Sequence, residues 1–410
     1  MSKVMQERRA ISRVELERAL RLHETYRQAK PGGQRALFTY RDLSGHDLSK
    51  RDLSDADFTG AFLVGTNLEG ANLTSAVLFA SNLSKANLRN AKLVRADLRG
   101  AHLRDADLTG ADLYDADLRD GMIAKWQRSG ELQHIEVETP GEAALRAAED
   151  GAVRKPLPSV HTDFSGAVLR NSRLVRADMR NATLAGADLG GADLSGADLR
   201  AADLNDAVLT DAVTENTHFI GANLKGTLGD QPAGLLVSDL EEPLAALIAK
   251  HERWVRSQGH QGAQLDLSGF DLRNAPPLAG AELAAVKASD SVFYGLDLTG
   301  IGFAAAQLDR ADLRSCNLRG ADLRGISLKG ARLINSDLRD CRLGPLVVND
   351  GQRIVSHLDR AILRNVDLRG ADLREAVLRG ADLSNANLTG ARLEGTDLEG
   401  TQLTGTIKAA

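Results

Sequence analysis

The strongest constraint on this chain is a large apolar residue at every fifth position, which continues from Ala36 to Arg119 without a change of frame. The series starts at Phe38 and Leu43 and ends at Leu118. A helix has a period of about 3.6 residues and a strand has a period of two, so neither would hold this series on one face. Such a short, fixed period is typical of a solenoid, whose repeats are stable only against their neighbours.

The five-residue repeats share a common sequence: a small residue, Asp or Asn, Leu, a polar residue, and Gly or another polar residue. ANLTS, ADLTG, ADLSG and ADLRG all occur in the chain. This register resembles the pentapeptide-repeat family, whose A(D/N)LXX repeats wind a right-handed, four-sided β-helix with four repeats per turn. The resemblance implies an all-β solenoid, a right-handed quadrilateral β-helix, over most of the chain. It implies little about function, because the motif specifies the repeated sides of the coil and not a binding or catalytic site.

The interior of such a coil follows from the repeat. If each repeat is one side of a square, the central Leu or Phe points inward, the preceding Ala makes a smaller inward contact, and the other positions face water. Residues twenty apart then stack at about 4.7–4.9 Å, the spacing of neighbouring strands. Each fully buried Leu or Phe contributes roughly 1.5–3 kcal/mol. We therefore expect this ladder of central residues to be the main source of stability.

The composition gives little sign of a nucleic-acid or membrane partner. The 51 Lys and Arg residues nearly balance the 56 Asp and Glu residues, so the chain has no strong overall field. The first ten residues are charged and lack the apolar stretch of a signal peptide, and no run of about eighteen apolar residues occurs. We therefore expect a soluble, cytoplasmic protein.

The two cysteines are predicted to fill space and not to pair. Cys316 and Cys341 each stand two positions before a central leucine, where the repeat otherwise has its inward Ala. They are twenty-five residues apart, a full coil plus one side, which places them on different walls of a regular coil. A small buried thiol behaves as a hydrophobic residue, and no disulfide is expected.

Two helices are predicted to lie beside the first coil of a repeat series. Residues 11–29 carry Ser12 and Glu15, which form a capping-box pair. A second helix is predicted to start at Asp239, which forms a similar pair with Glu242. An exposed last coil offers unpaired backbone groups to other chains, so we expect each helix to cap its coil.

A repeated segment indicates that the chain contains two modules. His23-Glu24-Thr25-Tyr26 and His251-Glu252-Arg253-Trp254 are each followed by glycines and then by the first coils. We infer a tandem duplication and divide the chain into four parts: an N-terminal capping helix at 1–35, a first β-helix at 36–228 with an insertion at 121–162, a linker and second capping helix at 229–264, and a second β-helix at 265–410 with a hairpin insertion at 344–357.

The insertion at 121–162 contains a predicted β-hairpin. Two alternating runs, at residues 123–128 and 132–137, flank the turn Ser129-Gly130-Glu131. Trp126 lies in the first run. It either packs against the coil wall or contacts a partner protein, and it is one of four candidate partner-contact residues.

Residues 344–357 allow two interpretations. Three repeats fit numerically, but a continuous coil would place Arg353 at a central, inward position, where an unpaired charge costs several kcal/mol. The alternative is a hairpin outside the coil, with the Asp350-Gly351 pair in its turn. We favour the hairpin. The column of residues that follow central leucines then contains a predicted basic contact stripe, formed by Arg319, Arg339 and Arg369.

Motifs for catalysis or metal binding are not found. The pairs His23-Glu24 and His251-Glu252 begin an H-E-x-x-H motif, but the second histidine is Arg27 in one and Val255 in the other. Aspartates recur in nearly every repeat, so no carboxylate pair stands out for acid–base chemistry. The chain has no G-x-G-x-x-G opening a helix, no P-loop and no G-x-S-x-G. We predict no enzymatic activity, no catalytic residues, no cofactor and no metal.

Two non-enzymatic functions remain. The first is a scaffold, a β-helical rod that binds an unknown partner protein through its faces and hairpins. The second comes from the family resemblance: some pentapeptide-repeat proteins look like duplex DNA, bind type II topoisomerases such as gyrase and protect them. DNA mimicry needs a strongly acidic face. Residues 36–120 carry 13 acids and 10 bases, and residues 265–410 carry 19 acids and 18 bases, so we favour the scaffold and expect no direct contact with nucleic acid.

Overall fold

The computed structural model describes residues 9–122, 159–348 and 351–407. Its helices are α1 (Arg13–Arg27), a 3-10 helix (Val237–Asp239) and α2 (Leu244–Arg256). Its named strands have two residues each: β1 (Arg9–Ala10), β2 (Arg41–Asp42), β3 (Gly121–Met122), β4 (Ser159–Val160), β5 (Leu235–Leu236), β6 (Phe270–Asp271), β7 (Leu346–Val347) and β8 (Arg353–Ile354).

The chain forms two compact units, Met1–Asp230 (unit 1) and Gln231–Ala410 (unit 2). Each has its own apolar core. In the described part of the chain, neither α1 nor α2 is long and apolar enough to cross a lipid bilayer. That the two units fold independently stays a prediction.

Parallel bridges between residues twenty apart build the coil of each unit. In unit 1, Leu37 bridges Asp57, and further bridges of the same spacing start at every fifth residue after Leu37. In unit 2 the same spacing joins Glu282 to Gly302. Four bridges fall within each twenty residues, so one coil has four sides.

Each repeat satisfies its backbone groups in the same way. Leu63 N–H donates to the carbonyl oxygen of Asn82 at 2.7 Å, and Asn82 N–H donates to that of Ala61 at 2.9 Å. The turn after Leu63 closes with Thr66 N–H donating to the carbonyl oxygen of Leu63 at 3.1 Å. Because the turns leave only one bridging residue on each side, the sheets are reduced to single bridges.

The central residues of the repeats form the interior. Phe38 and Phe58 are 1% and 0% exposed, and their rings stack with centroids 5.1 Å apart. The small residues that precede central positions, such as Ala61 and Ala71, are also 0% exposed. The predicted inward ladder is confirmed, with a second inward contact from alanine.

The last residue of each regular repeat has a positive φ. Gly60 and Gly65 have φ values of 62° and 64°, and the non-glycine residues Asn90 and Ala305 both have 55°. The turn runs from the central residue of one repeat to the first residue of the next, so this residue is the third of its four. A positive φ there, together with the closing hydrogen bond, is typical of a type II turn. Glycine adopts the region freely, and Asn and Asp tolerate it better than other residues. The preference for Gly or a polar residue at this position therefore comes from the backbone as well as from solvent exposure.

We expect Ala305→Gly to stabilise unit 2 by about 0.5–1 kcal/mol. A left-handed conformation costs a non-glycine residue about 1–2 kcal/mol, and the extra freedom of glycine in the unfolded chain offsets part of that gain. Ala304→Gly is the matched control. Ala304 precedes the turn residue and has no positive φ, so it should lose stability. Denaturant unfolding of both variants tests the expectation. A change in unfolding free energy in the same direction for both variants would contradict it.

Helix α1 packs on the first coil of unit 1. Ser12 and Glu15 form the predicted capping box: Glu15 N–H donates to Ser12 Oγ at 3.2 Å, and Ser12 N–H donates to Glu15 Oε2 at 3.0 Å. Leu16 and Leu20 are buried in the same apolar cluster as Phe38. Strand β1 pairs in parallel with β2, in the first coil. That α1 protects the coil from other chains stays a prediction.

Helix α2 starts later than predicted. It begins at Leu244 after Pro243, which gives no side-chain cap, and the predicted capping box of Asp239 and Glu242 is wrong. The Asp239 carboxylate instead accepts from Leu236 N–H at 2.8 Å. A helix begun at Asp239 would need an N–H from Pro243 to bond its first carbonyl, and proline has none. The proline therefore sets the helix start.

The first insertion leaves the coil of unit 1 after β3 and returns at β4, which pairs antiparallel with β3. His102 bridges Asp163, a spacing of 61 residues where 20 is regular, so 41 residues lie outside the coil. Phe164 takes the next central position and is 0% exposed. The predicted hairpin at 123–137 and Trp126 lie outside the described residues.

The second insertion lies between Leu343 and Leu358 in unit 2. Ser327 bridges His357, a spacing of 30, so ten residues lie outside the coil. Strands β7 and β8 pair antiparallel. Arg353 is exposed and contacts Glu375 at 2.6 Å. The interpretation of a continuous coil with Arg353 inside is therefore wrong.

A side-chain hydroxyl group accepts a backbone hydrogen bond at each point where the chain returns to the coil after an insertion. Gly100 N–H donates to Thr162 Oγ1 at 3.0 Å, and Thr162 Oγ1 lies 2.7 Å from the carbonyl oxygen of Arg119. In unit 2, Gly325 N–H donates to Ser356 Oγ at 2.9 Å. Both hydroxyl residues occupy the inward small position of the first repeat after an insertion. Each supplies an acceptor at the place where the chain leaves and rejoins the regular ladder.

Candidate functional site

Arginine and aspartate side chains pair with each other in the repeats where an aspartate and an arginine flank the central residue. In the first such pair, Arg99 Nε and Nη2 donate to Asp97 Oδ1 and Oδ2 at 2.9 and 2.8 Å. We call this arrangement an Arg–Asp fork. The same two-point contact joins Arg119 to Asp117, Arg180 to Asp178, Arg200 to Asp198, Arg273 to Asp271, Arg314 to Asp312, Arg324 to Asp322, Arg339 to Asp337, Arg369 to Asp367 and Arg374 to Asp372.

Several arginines without an aspartate two positions before them pair with the next coil. Arg89 follows Asn87 and contacts Asp107 at 3.0 Å. Arg379 follows Val377 and contacts Asp397 at 2.6 Å. Bonding to Arg339 and Arg374 holds the pKa of Asp337 and of Asp372 below the usual range. Much of the wall charge is therefore neutralised at hydrogen-bond distance.

The predicted basic stripe is neutralised in this way. Arg319, Arg339 and Arg369 do stack: Gly320 N–H donates to the carbonyl oxygen of Arg339 at 2.9 Å, and Asp340 N–H donates to that of Arg369 at 3.0 Å. Arg339 and Arg369 are held in Arg–Asp forks, and Arg319 Nε lies 3.5 Å from Asp340 Oδ2. Partner contact through this stripe stays a prediction.

The duplicated histidines join helix to coil in both units. His23 Nδ1 accepts from Ala36 N–H at 3.1 Å, and His251 Nδ1 accepts from Leu265 N–H at 3.0 Å. Both rings are 0% exposed and stack on an aromatic ring of the next helical turn, Tyr26 or Trp254. Burial lowers the pKa of both histidines. Both histidines therefore pack at the junction of helix and coil.

We expect these histidines to make stability depend on pH. Their pKa is lower in the folded chain than in the unfolded chain, where it is about 6.5. The stabilisation is therefore complete above pH of about 6.5 and is lost as pH falls toward the folded pKa. The slope is at most about 1.4 kcal/mol per pH unit for each histidine.

Asparagine provides a test, because its side-chain oxygen can replace Nδ1 as acceptor without titrating. The variants His23→Asn and His251→Asn should each flatten the dependence of unfolding free energy on pH below about 6.5. His218→Asn is the control, since His218 is exposed. Denaturant unfolding as a function of pH measures all three, and an unchanged slope in both Asn variants would contradict the assignment.

The cysteines fill space as predicted. Cys316 and Cys341 are buried and free. Burial raises the pKa of both thiols far above the usual range. Within the described residues, no group of three or more His, Cys, Asp or Glu side chains is arranged to hold a metal ion.

A pocket of about 340 Å³ lies at the base of the β7–β8 hairpin in unit 2. We call it the hairpin pocket. Its lining has six charged and three uncharged residues: Arg324, Arg342, Gly344, Pro345, Val347, Arg353, Asp372, Arg374 and Glu375. Four guanidinium groups face two carboxylates, so the lining carries an excess of positive charge.

A comparison of the chain with protein-family profiles agrees with this geometry. The sequence profile described as pentapeptide repeats matches the chain in eight copies, at residues 52–78, 81–120, 162–200, 306–344 and 361–400. All five stretches lie on the coil walls. Both units of the chain therefore contain pentapeptide repeats. Such repeats imply a right-handed β-helix, and the bridges at twenty-residue spacing have the four-sided winding of that fold.

Solved structures of other pentapeptide-repeat proteins are similar to this chain. Rfr23 of the cyanobacterium Cyanothece 51142 is 36% identical, with 25% of this chain and 60% of Rfr23 covered and a TM-score of 0.19. A protein of the Arabidopsis thaliana thylakoid lumen is 24% identical, with coverage of 34% and 69% and a TM-score of 0.23. Trypsin-treated QnrB1, a plasmid-mediated fluoroquinolone resistance protein, is 12% identical, with coverage of 90% and 89% and a TM-score of 0.13. A search of curated proteins finds no match.

The repeat pattern of a pentapeptide-repeat chain does not indicate the hairpin pocket. The position of the pocket depends on the point at which the hairpin leaves the coil wall. The register of the two flanking coils determines that point. One signal is present in the sequence: Gly344 directly follows the central Leu343, at a position that needs no positive φ.

Proposed function

We propose that this pentapeptide-repeat protein is a non-enzymatic scaffold that binds a partner protein through elements inserted between its repeats. The observation that carries the proposal is the set of Arg–Asp forks. They leave the coil walls regular and nearly neutral, and such walls attract little over distance. The side chains of the β7–β8 hairpin depart from this lattice: Val347 is 61% exposed and the Arg353 side chain is 52% exposed.

The alternative is a DNA mimic that binds and protects a type II topoisomerase. Mimicry requires a dense, continuous row of negative charges. Aspartates of the ADLR repeats are instead bonded by arginines of the same repeat, as with Asp198 and Arg200. This arrangement favours the scaffold over the mimic.

Two assays on the full chain test the proposal. In a supercoiling assay with purified DNA gyrase and a fluoroquinolone, we expect neither inhibition nor protection. In affinity capture from the native source, we expect a partner that is lost with a variant lacking residues 346–355 and retained with Thr299→Asp on a regular wall. The deletion variant also carries Pro345→Gly, because the restored turn needs a positive φ at that position. Protection of gyrase at stoichiometric protein would overturn the ranking.

A further inference from the structure

We propose that the hairpin pocket binds a small ligand through a phosphate group. Four arginines line this hollow in unit 2. Two of them, Arg342 and Arg353, are not held in Arg–Asp forks. This site is independent of the partner protein proposed above, and it can exist whether or not that partner does.

The hollow exists because Gly344 has no side chain. Arg342 bridges Asp322 in one neighbouring coil and Asp372 in the other. Two positions further along each coil, Gly344 therefore lies between Arg324 and Arg374 on the wall. A Cβ atom at Gly344 would meet nothing closer than 3.5 Å. Neither backbone geometry nor close contact requires glycine at this position, and any larger side chain would enter the pocket.

The arginines of the pocket differ in how they are held. Arg324 and Arg374 are fixed by Arg–Asp forks. Arg342 Nη2 lies 3.0 Å from Asp322 Oδ2, and Arg353 Nη2 donates to Glu375 Oε1 at 2.6 Å. Both side chains are about half exposed, at 55% and 52%. Among the described residues, their remaining N–H groups have no carboxylate partner and are available to an oxyanion.

The chemistry of these groups favours phosphate. A guanidinium fork matches two phosphate oxygens and forms paired, charge-assisted hydrogen bonds. Arg342 approaches from the coil wall and Arg353 from the hairpin, so a tetrahedral group between them can be bound from two sides. The volume of about 340 Å³ is at the lower end for small-molecule sites. It has room for a phosphate with a small organic substituent.

Isothermal titration calorimetry of the full chain tests the site with inorganic phosphate, pyrophosphate and AMP as separate probes. We expect at least one probe to bind, with an affinity that falls as salt is added. Stronger binding of AMP would assign the site to phosphate esters, and stronger binding of pyrophosphate or phosphate would assign it to free oxyanions. Absence of binding by all three at about 1 mM, the weak end of specific affinity, would overturn the proposal.

Four variants separate this pocket from general attraction to a basic surface. Arg342→Gln and Arg353→Gln should each weaken binding about tenfold, which equals 1.4 kcal/mol, and Gly344→Leu should abolish it by filling the hollow. Arg339→Gln, on another wall, is the control and should bind as the parent does. Circular dichroism checks folding, and the two Gln variants keep the test valid if Gly344→Leu misfolds. Equal loss in Arg339→Gln, or no loss in Arg342→Gln and Arg353→Gln, would contradict the site.

Discussion

Replacing Leu83 by aspartate is expected to abolish cooperative folding of unit 1. Leu83 is a central residue of the interior ladder and is 0% exposed. Removing a buried leucine costs about 2–5 kcal/mol, and leaving an unpaired buried charge costs several kcal/mol more. The sum approaches the whole stability of a typical domain, about 5–15 kcal/mol.

The adjacent residue provides the control. Ser84 is partly exposed and stacks in the coil next to Arg104, because Lys85 N–H donates to the carbonyl oxygen of Arg104. Ser84→Asp should therefore change the free energy of unfolding by no more than about 0.5 kcal/mol. Circular dichroism during denaturant unfolding of the full chain measures both variants. A stable Leu83→Asp chain would mean that the ladder does not face inward.

Replacing Gly380 by proline is expected to destabilise unit 2 by about 3 kcal/mol or more. Gly380 ends its repeat with φ at 65°, and its N–H donates to the carbonyl oxygen of Glu399 at 2.8 Å. Proline fixes φ near −65° and has no N–H, so it can satisfy neither requirement.

Proline one residue earlier should be tolerated. Arg379 occupies the second position of the same turn, where proline is common in type II turns. Arg379→Pro should cost no more than about 1 kcal/mol, the scale of losing one exposed ion pair, here with Asp397. Thermal unfolding of the two variants compares them directly. Similar losses of stability at both positions would contradict the proposed turn geometry.

The interior of both units could be predicted from sequence because one period fixes it. Every fifth residue from Phe38 to Leu118 is buried as expected, and no other period would place those residues together. The charge of Arg353 was sufficient to reject a continuous coil at residues 344–357, because a buried, unpaired arginine is too costly. In these cases a single large energy term decides the structure.

Other features could not be predicted because they depend on several small terms. The start of α2 depends on Pro243, whose missing N–H outweighs the apparent capping pair at Asp239 and Glu242. The hydroxyl contacts of Thr162 and Ser356 need the positions of the insertions, which the repeat alone does not give. The hairpin pocket needs both the hairpin path and the stacking of three successive coils. Its residues are far apart in sequence, from Arg324 to Glu375.

The coil of unit 1 continues past the first insertion as though the inserted residues were absent. Four successive bridges connect Lys92 to Asp112, Arg173, Asp193 and Val213. At about 4.8 Å per coil, the Cα atoms of Lys92 and Val213 are then about 19 Å apart.

Pulsed dipolar spectroscopy between spin labels at Lys92→Cys and Val213→Cys measures this distance. Both positions are exposed, and the buried native cysteines should not react. We predict a distance distribution centred near 19 Å, broadened by the label side chains. If the inserted residues were wound into the coil, six coils would separate the labels by about 29 Å, and that result would contradict the account.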